Sequence, residues 1–418
     1  MYRTIIFILL FLSTDILAGW EKLNSNTTEW LTDVVFVDTK IGYAVGRNGT
    51  IVKTIDGGDN WENISLRINE WFKSLFFFNE DHGFIVGTNS IILETFDGGK
   101  SWKYQYLDYN SIFYKIFFIN EIEGYIVGGD LNDNGIVLKT EDGGINWRPV
   151  LNTDNGALYT GNYSSDSTIV VAGRNGIIFK TTDSAVNWHM VKIKSPTFDI
   201  TYLVFQGISF YNDAIWAVGD HGLILKSTDG GLTWTFHNLS FKYYHHLFNI
   251  KFKNNRGIIV GGRGNGNASY EAIILETDDG GNSWTVTSTP NWTKLYGISI
   301  PSVNRAFVVG YNGIILRYDP LITDVKDQCA ETMHFNLQNF PNPFNASTII
   351  KYSIPKSEFV TIKIYDLIGR EIATLVNENK QRGNYEVHFD ASDLATGVYL
   401  YSLKAGSFSD TKKLILIK

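Results

Sequence analysis

A tryptophan closes the same motif at positions 61, 102, 147, 188, 234 and 284, at intervals of 41, 45, 41, 46 and 50 residues. Gly42–Trp61 reads GYAVGRNGTIVKTIDGGDNW and Gly83–Trp102 reads GFIVGTNSIILETFDGGKSW. Further copies follow from Gly124, Ile169, Ala214 and Gly257. A last copy, Arg305–Tyr318, stops before its tryptophan, whereas Trp20 stands 41 residues ahead of Trp61 with no copy before it. Each unit reads as four short strands. In the first they are Leu31–Val37, Tyr43–Val45, Thr50–Thr54 and Trp61–Ile64, with Asn48-Gly49 as a hairpin turn. A period of ~40–50 residues with four strands per unit is the signature of a β-propeller blade. The orphan strand at Trp20 supplies what the last copy lacks, so seven complete blades are expected in a closed ring. The 39 glycines, 8 prolines and 14% aromatic residues suit many short strands joined by tight turns.

Between the third and fourth strands lies a turn of the form S/T-x-D-x-G-x-x-W, as in Thr54–Trp61. Its aspartates are Asp56, Asp97, Asp142, Asp183, Asp229 and Asp279, and the fourth copy carries Ala185 where the others carry glycine. These turns resemble the Asp-box of bacterial neuraminidase repeats. A structural role is expected: the carboxylate accepts N–H groups of its own turn, glycine permits positive φ, and the tryptophan packs between sheets. The whole repeat, VG-x-NG-x-I-x-K/E-T-x-DGG-x-x-W, is similar to the propeller family of the photosystem II assembly and stability factor over residues 19–318. That resemblance implies the fold. The family's photosynthetic role depends on a thylakoid context, which nothing in this chain supplies.

The two ends of the chain read as addresses. Residues 1–18 have a basic start, an apolar run Ile5–Leu12 and a small residue, Ala18, before Gly19, as in a signal peptide. Residues 321–334 read as a linker. Residues 335–418 hold short alternating runs, Thr348–Ile354, Phe359–Leu367, Glu371–Val376, Gly383–Phe389, Gly397–Ala405 and Lys412–Ile417, expected to form a small Ig-like β-sandwich. PNPFN at 341–345, IKIYDLIGR at 362–370, LATGVYLYSL at 394–403 and KKLILIK at 412–418 closely resemble the type A C-terminal sorting domain of the type IX secretion system. The fold class is therefore all-β, a seven-bladed propeller (19–320) and a sandwich. The resemblance implies export through that machinery to the cell surface or the medium. No later stretch is apolar enough to anchor the mature chain.

A net charge of −7 argues against a nucleic-acid partner, and a single cysteine, Cys329, excludes a disulfide framework. The expected ligand face is the end bearing the strand two–three turns and the blade-to-blade connections, opposite the Asp-boxes. Arg47, Arg174 and Arg263 fall on those turns, and the connections add Trp30, Trp71 and Trp292. Such a set could hold an acidic protein or a glycan, or simply be solvated turn residues. Tyr243-Tyr244-His245-His246 looks metal-like, yet adjacent strand histidines point to opposite faces. Asp130, Asn132 and Asn134 with Glu141 match D-x-N-x-N-G-x5-E, the spacing of a calcium loop, without its flanking helices. A longer hairpin turn explains the same residues, so no cofactor is expected beyond that calcium candidate. A binding or scaffold module is the leading reading. A secreted sialidase-type glycosidase is the alternative, although the Arg-Ile-Pro motif of that family is missing and no catalytic residue can be assigned.

Overall fold

A computed structural model describes residues 19–319 and 336–417, apart from 165–167, 192, 194–202, 238–244, 264–270, 290–293, 355–356, 382 and 407. The expected leader (1–18), the expected linker (321–334) and Trp292, Tyr243 and Tyr244 lie outside these residues. The chain divides into two compact units, Met1–Leu321 and Ile322–Lys418.

The described residues of the first unit form seven four-stranded antiparallel sheets. Blade 1 comprises Leu31–Phe36, Gly42–Gly46, Ile51–Thr54 and Glu62–Asn63, and blades 2 to 6 follow in chain order with inner strands Phe72–Phe77, Ser111–Phe118, Leu158–Tyr163, Phe205–Tyr211 and His246–Lys253. Blade 7 is built from both ends of the repeat region. Trp20–Leu23 pairs antiparallel with Ile315–Tyr318, with Trp20 opposite Tyr318. The core lies between neighbouring sheets, as one cluster shows by joining Leu31, Val34, Ala44 and Trp61 of blade 1 to Phe307, Val309 and Ile315 of blade 7. The closing tryptophan makes this packing, since Trp61 meets Phe36 at 5.9 Å and Phe307 at 6.5 Å edge-on.

The ring has two unlike ends. Strand pairing places the two–three turns and the blade-to-blade connections at one end, called the mouth below. The Asp-box turns and the one–two turns share the other, where Gly57 N–H donates to Lys40 C=O at 2.8 Å. At the mouth, Asn48 (φ 53°) and Gly49 (φ 67°) are both left-handed, the turn that matches strand twist in a two-residue hairpin.

The second unit is a two-sheet sandwich. One sheet holds Asn336–Phe340, Ser347–Ile354 and Gly383–Asp390, and the other holds Glu371–Lys380, Glu358–Tyr365, Gly397–Ala405 and Phe408–Leu416. Its strands alternate, and both sheets feed one core of Leu337, Ile350, Tyr352, Ile362, Ile364, Leu403 and Leu414. Among the described residues no helix is long and apolar enough to cross a membrane.

Candidate functional site: the channel and its mouth

The inner strand of every blade carries an irregularity at the same place. In blade 1, Leu31 pairs with Gly46 and Asp33 with Val45, so Thr32 is an extra residue. The same skip occurs at Lys73, Tyr114, Tyr159, Gln206, Phe248 and Tyr296. A β-bulge leaves its extra residue unpaired and re-aims it. All seven of these residues line one cavity of about 750 Å³ on the ring axis. A repeated glycine makes the bulge possible. A Cβ at Gly46 would stand 1.8 Å from the Trp30 carbonyl oxygen, and one at Gly173 would stand 2.0 Å from that of Ala157. The glycine of each V-G step is therefore a close-approach residue for the inner strand.

The bulged residues form a collar of Thr32, Lys73, Tyr114, Tyr159, Gln206, Phe248 and Tyr296. Within it Tyr114 and Tyr159 meet edge-on at 4.8 Å, and Phe248 and Tyr296 lie 5.0 Å apart. Burial pushes the Tyr114 phenol up to about 12, so it stays a neutral donor. Above the collar, the Arg47 guanidinium sits 4.9 Å from the Trp30 ring and 5.2 Å from Trp71, and Trp30 also meets Tyr311 at 4.5 Å. Lys73 Nζ lies 3.0 Å from the Trp71 ring centroid. Burial, and then the Arg47 charge, lowers the Lys73 amine to about 7. Below the collar, Asp33 accepts from Ser74 Oγ at 2.9 Å, Lys115 Nζ at 3.2 Å and the Val34 N–H at 3.0 Å. Lys251 enters the same cavity one inward-facing step further down its strand.

The sequence-derived candidates fare unevenly. Arg47, Trp30 and Trp71 come together as one stack. Arg174 is at the cavity wall, paired with Asp133 at 3.3 Å. Arg263 ends its strand opposite Glu271. The three arginines thus occupy blades 1, 4 and 6 and do not converge in one pocket. His245 turns to Glu271 (3.7 Å) and His246 to Asp220 (2.9 Å), so the two diverge as expected. The calcium set is not assembled. Asp130 Oδ1 takes the N–H groups of Asn132 (2.8 Å) and Asn134 (2.9 Å), and its Oδ2 takes the Asn134 amide (2.8 Å). Strand Gly135–Thr140 then carries Glu141 to the other end of the ring, about 20 Å away at ~3.3 Å per residue. There Glu141 pairs with Lys139 and Arg148, both at 2.9 Å. The geometry is that of a hairpin tip closed on its own aspartate.

The Asp-boxes behave as structural turns. In the first, Thr54 Oγ1 donates to Asp56 Oδ1 (2.8 Å) and accepts the Gly58 N–H (2.9 Å). Asp56 also takes the Asn60 N–H (2.9 Å) and side-chain amide (2.8 Å). Asp97, Asp142, Asp183, Asp229 and Asp279 each repeat the core of this pattern. The Ser101 hydroxyl and N–H hold Asp97 down at about 2, and the Asn187 N–H and Thr181 hydroxyl do the same for Asp183.

Residues 13–76, 59–191 and 150–244 match the profile of the photosynthesis system II assembly factor YCF48. The chain belongs to the YCF48 family. Residues 338–418 match the secretion system C-terminal sorting domain, so this YCF48-family propeller carries an export tail. A solved YCF48 bound to a D1 peptide superposes with a TM-score of 0.58 at 24% identity, covering 72% of this chain and 97% of that one. YCF48 from Cyanidioschyzon merolae gives 0.57 at 20%, covering 73% and 100%. A GH74 enzyme from Niastella koreensis gives 0.57 at 12%, covering 96% and 75%. At these identities the likeness is one of fold. Among curated proteins none matches the chain.

The collar is the part that sequence reasoning missed. Aligning the repeats on the first buried apolar residue of each inner strand gives LTD, FKS, FYK, LYT, FQG, LFN and LYG. The middle position of that register is the bulge.

Proposed function

We propose that this YCF48-family propeller is a binding module, exported through the type IX machinery by residues 335–418, that takes a polypeptide segment at the mouth of its channel. The carrying observation is the collar, which puts three tyrosines and a phenylalanine around an axial cavity, with the Trp30–Arg47–Trp71–Lys73 stack at its rim. Rigid rings with polar tips and nearby cations are the usual anchors of polypeptide recognition. The peptide in the solved YCF48 complex supports that ligand class. Among the described residues of the cavity wall, no carboxylate pair is free for the glycosidase reading. Of the carboxylates lining the cavity, Asp33 is committed to Lys115 and Ser74, and Asp220 to His246. Release to the medium or attachment at the surface both fit an exported module.

The test is a fluorescence titration of the full chain with short peptides and with neutral oligosaccharides. Peptide binding that weakens at least ~10-fold in Trp71→Ala is expected, as for an interface anchor. Hydrolysis of the oligosaccharides, or peptide affinity indifferent to Trp71→Ala, overturns the reading.

A further inference from the structure

The cavity gathers more positive charge than the fold compensates. Lys73, Lys115 and Lys251 enter it from the inner strands of blades 2, 3 and 6, whereas the inner strands contribute one carboxylate, Asp33. Asp33 is matched to Lys115 at 3.2 Å and saturated by Ser74 and the Val34 N–H. Among the described residues no carboxylate stands within ion-pair distance of Lys251, and the residues lining the same cavity include the apolar Val35, Phe76 and Phe117. A buried ammonium without a counter-charge is costly, and a low-dielectric tube focuses its field along the axis. The natural stabiliser is an anion supplied from the mouth.

We propose that the channel is a carboxylate-binding site, with the anion held by Lys251 beside Lys115 and the group that bears it packed in the aromatic collar. The charge count selects the ligand. With Lys115 answered by Asp33, the uncompensated charge deep in the tube is a single ammonium, which one carboxylate neutralises and a phosphate dianion would overshoot. The collar contributes apolar rings with phenolic tips, which suits an organic acid or an acidic side chain better than a bare ion. The site rests on the preceding section only for the source of the carboxylate, an acidic residue of a bound segment as against a small free acid.

Proton linkage follows from the same geometry. Burial, with Lys115 acting in the same sense and Asp33 against it, lowers the Lys251 amine to about 8. Arg47 is the charge that faces Lys73. A carboxylate docked against Lys251 raises that amine, so binding takes up a proton above pH ~8 and affinity falls as the pH climbs further.

The experiment is calorimetry on the full chain with three probes: butyrate, the capped peptide Ala-Ala-Glu-Ala-Ala and its Gln counterpart. The Glu peptide should bind at least tenfold tighter than the Gln peptide. Lys251→Met should erase that preference, and Lys251→Arg should keep it. At pH 8.5 the wild-type heat should vary with buffer ionisation enthalpy in the sense of proton uptake, a readout that needs no variant to fold. Equal binding of the two peptides together with no butyrate binding overturns the carboxylate site and leaves the peptide reading standing. Butyrate binding lost in Lys251→Met, with neither peptide bound, supports the site and removes the peptide reading. A Glu preference that survives Lys251→Met overturns the assignment.

Discussion

Asp56 shows how one side chain organises a turn while staying in contact with solvent. Its carboxylate collects the Thr54 hydroxyl, the Asn60 N–H and the Asn60 amide, all within one eight-residue motif. Removing it strands an N–H at a solvated turn, so Asp56→Ala should cost about 1 kcal/mol in urea unfolding. Binding at the mouth should not change, because the turn lies at the opposite end of the ring. Loss of binding at unchanged stability would place function on the Asp-box face instead. The pH dependence has a definite sign. Asp97 and Asp183 titrate at about 2 when folded, below the ~4 of an unstructured aspartate, so the native state holds fewer protons. Their contribution is complete above pH ~4 and is lost as pH falls toward 2. A melting temperature flat from pH 6 to 5 and declining below 4 is the expected profile. One that rises on acidification would contradict it.

At the level of elements, the Asp-box and the inner-strand bulge differ in how openly the chain announces them. The box is local: every donor and acceptor lies within the motif, and residue types alone specify it. The four-strand unit, the seam at Trp20 and the packing of the closing tryptophans were likewise legible, since each follows from repeat spacing and residue size. The bulge is a relation between two strands, and its mark on the sequence is a register offset against V-G steps in a neighbour. Lys73 and Tyr114 therefore read as ordinary strand residues until the pairing is known. Calcium spacing misled for the complementary reason. Asp130 and Glu141 are close in sequence, but an intervening strand holds them apart. The opening strand of the second unit, Asn336–Phe340, was also missed, because NLQNF lacks the β-branched residues that flag its neighbours. Blade 4 offers a test of turn chemistry. Ser184 (φ 58°) and Ala185 (φ 68°) adopt left-handed backbone where the other boxes have two glycines. Ser184→Gly should remove that strain and raise stability by up to about 1 kcal/mol, less the entropy glycine adds to the unfolded chain. A lower denaturation midpoint in this variant would show that the serine is held by more than its backbone.

For the molecule as a whole, the decisive contact is the pairing of strands from opposite ends of the propeller. Arg317 reaches Glu21, 296 residues earlier in the chain, and also pairs with Asp319 and Asp59. Bringing such distant segments together costs about 5 kcal/mol of closure entropy beyond a constant term. The buried Trp20, whose Nε1–H donates to Glu276, is the largest side chain offsetting it. Trp20→Ala should therefore destabilise by about 3–5 kcal/mol and loosen blade 7 first. Hydrogen exchange that speeds up in Ile315–Tyr318 ahead of the other blades would be the signature, and uniform exchange across the ring would refute it.

The same seam has a mechanical side. Trp20 opens one strand and Tyr318 ends its antiparallel partner, and the two stand opposite each other, with Asp319 N–H bonded to Gly19 C=O at 3.1 Å. Tension applied through the two chain ends therefore meets the ladder one rung at a time, as in opening a zip, rather than loading every rung in parallel as shear would. The propeller should yield to stretching at low force and from this one edge, while the six blades closed by their own sequence stay shut. Both ends also leave at the Asp-box side, so a pull on the tail bears on the seam and reaches the channel mouth last.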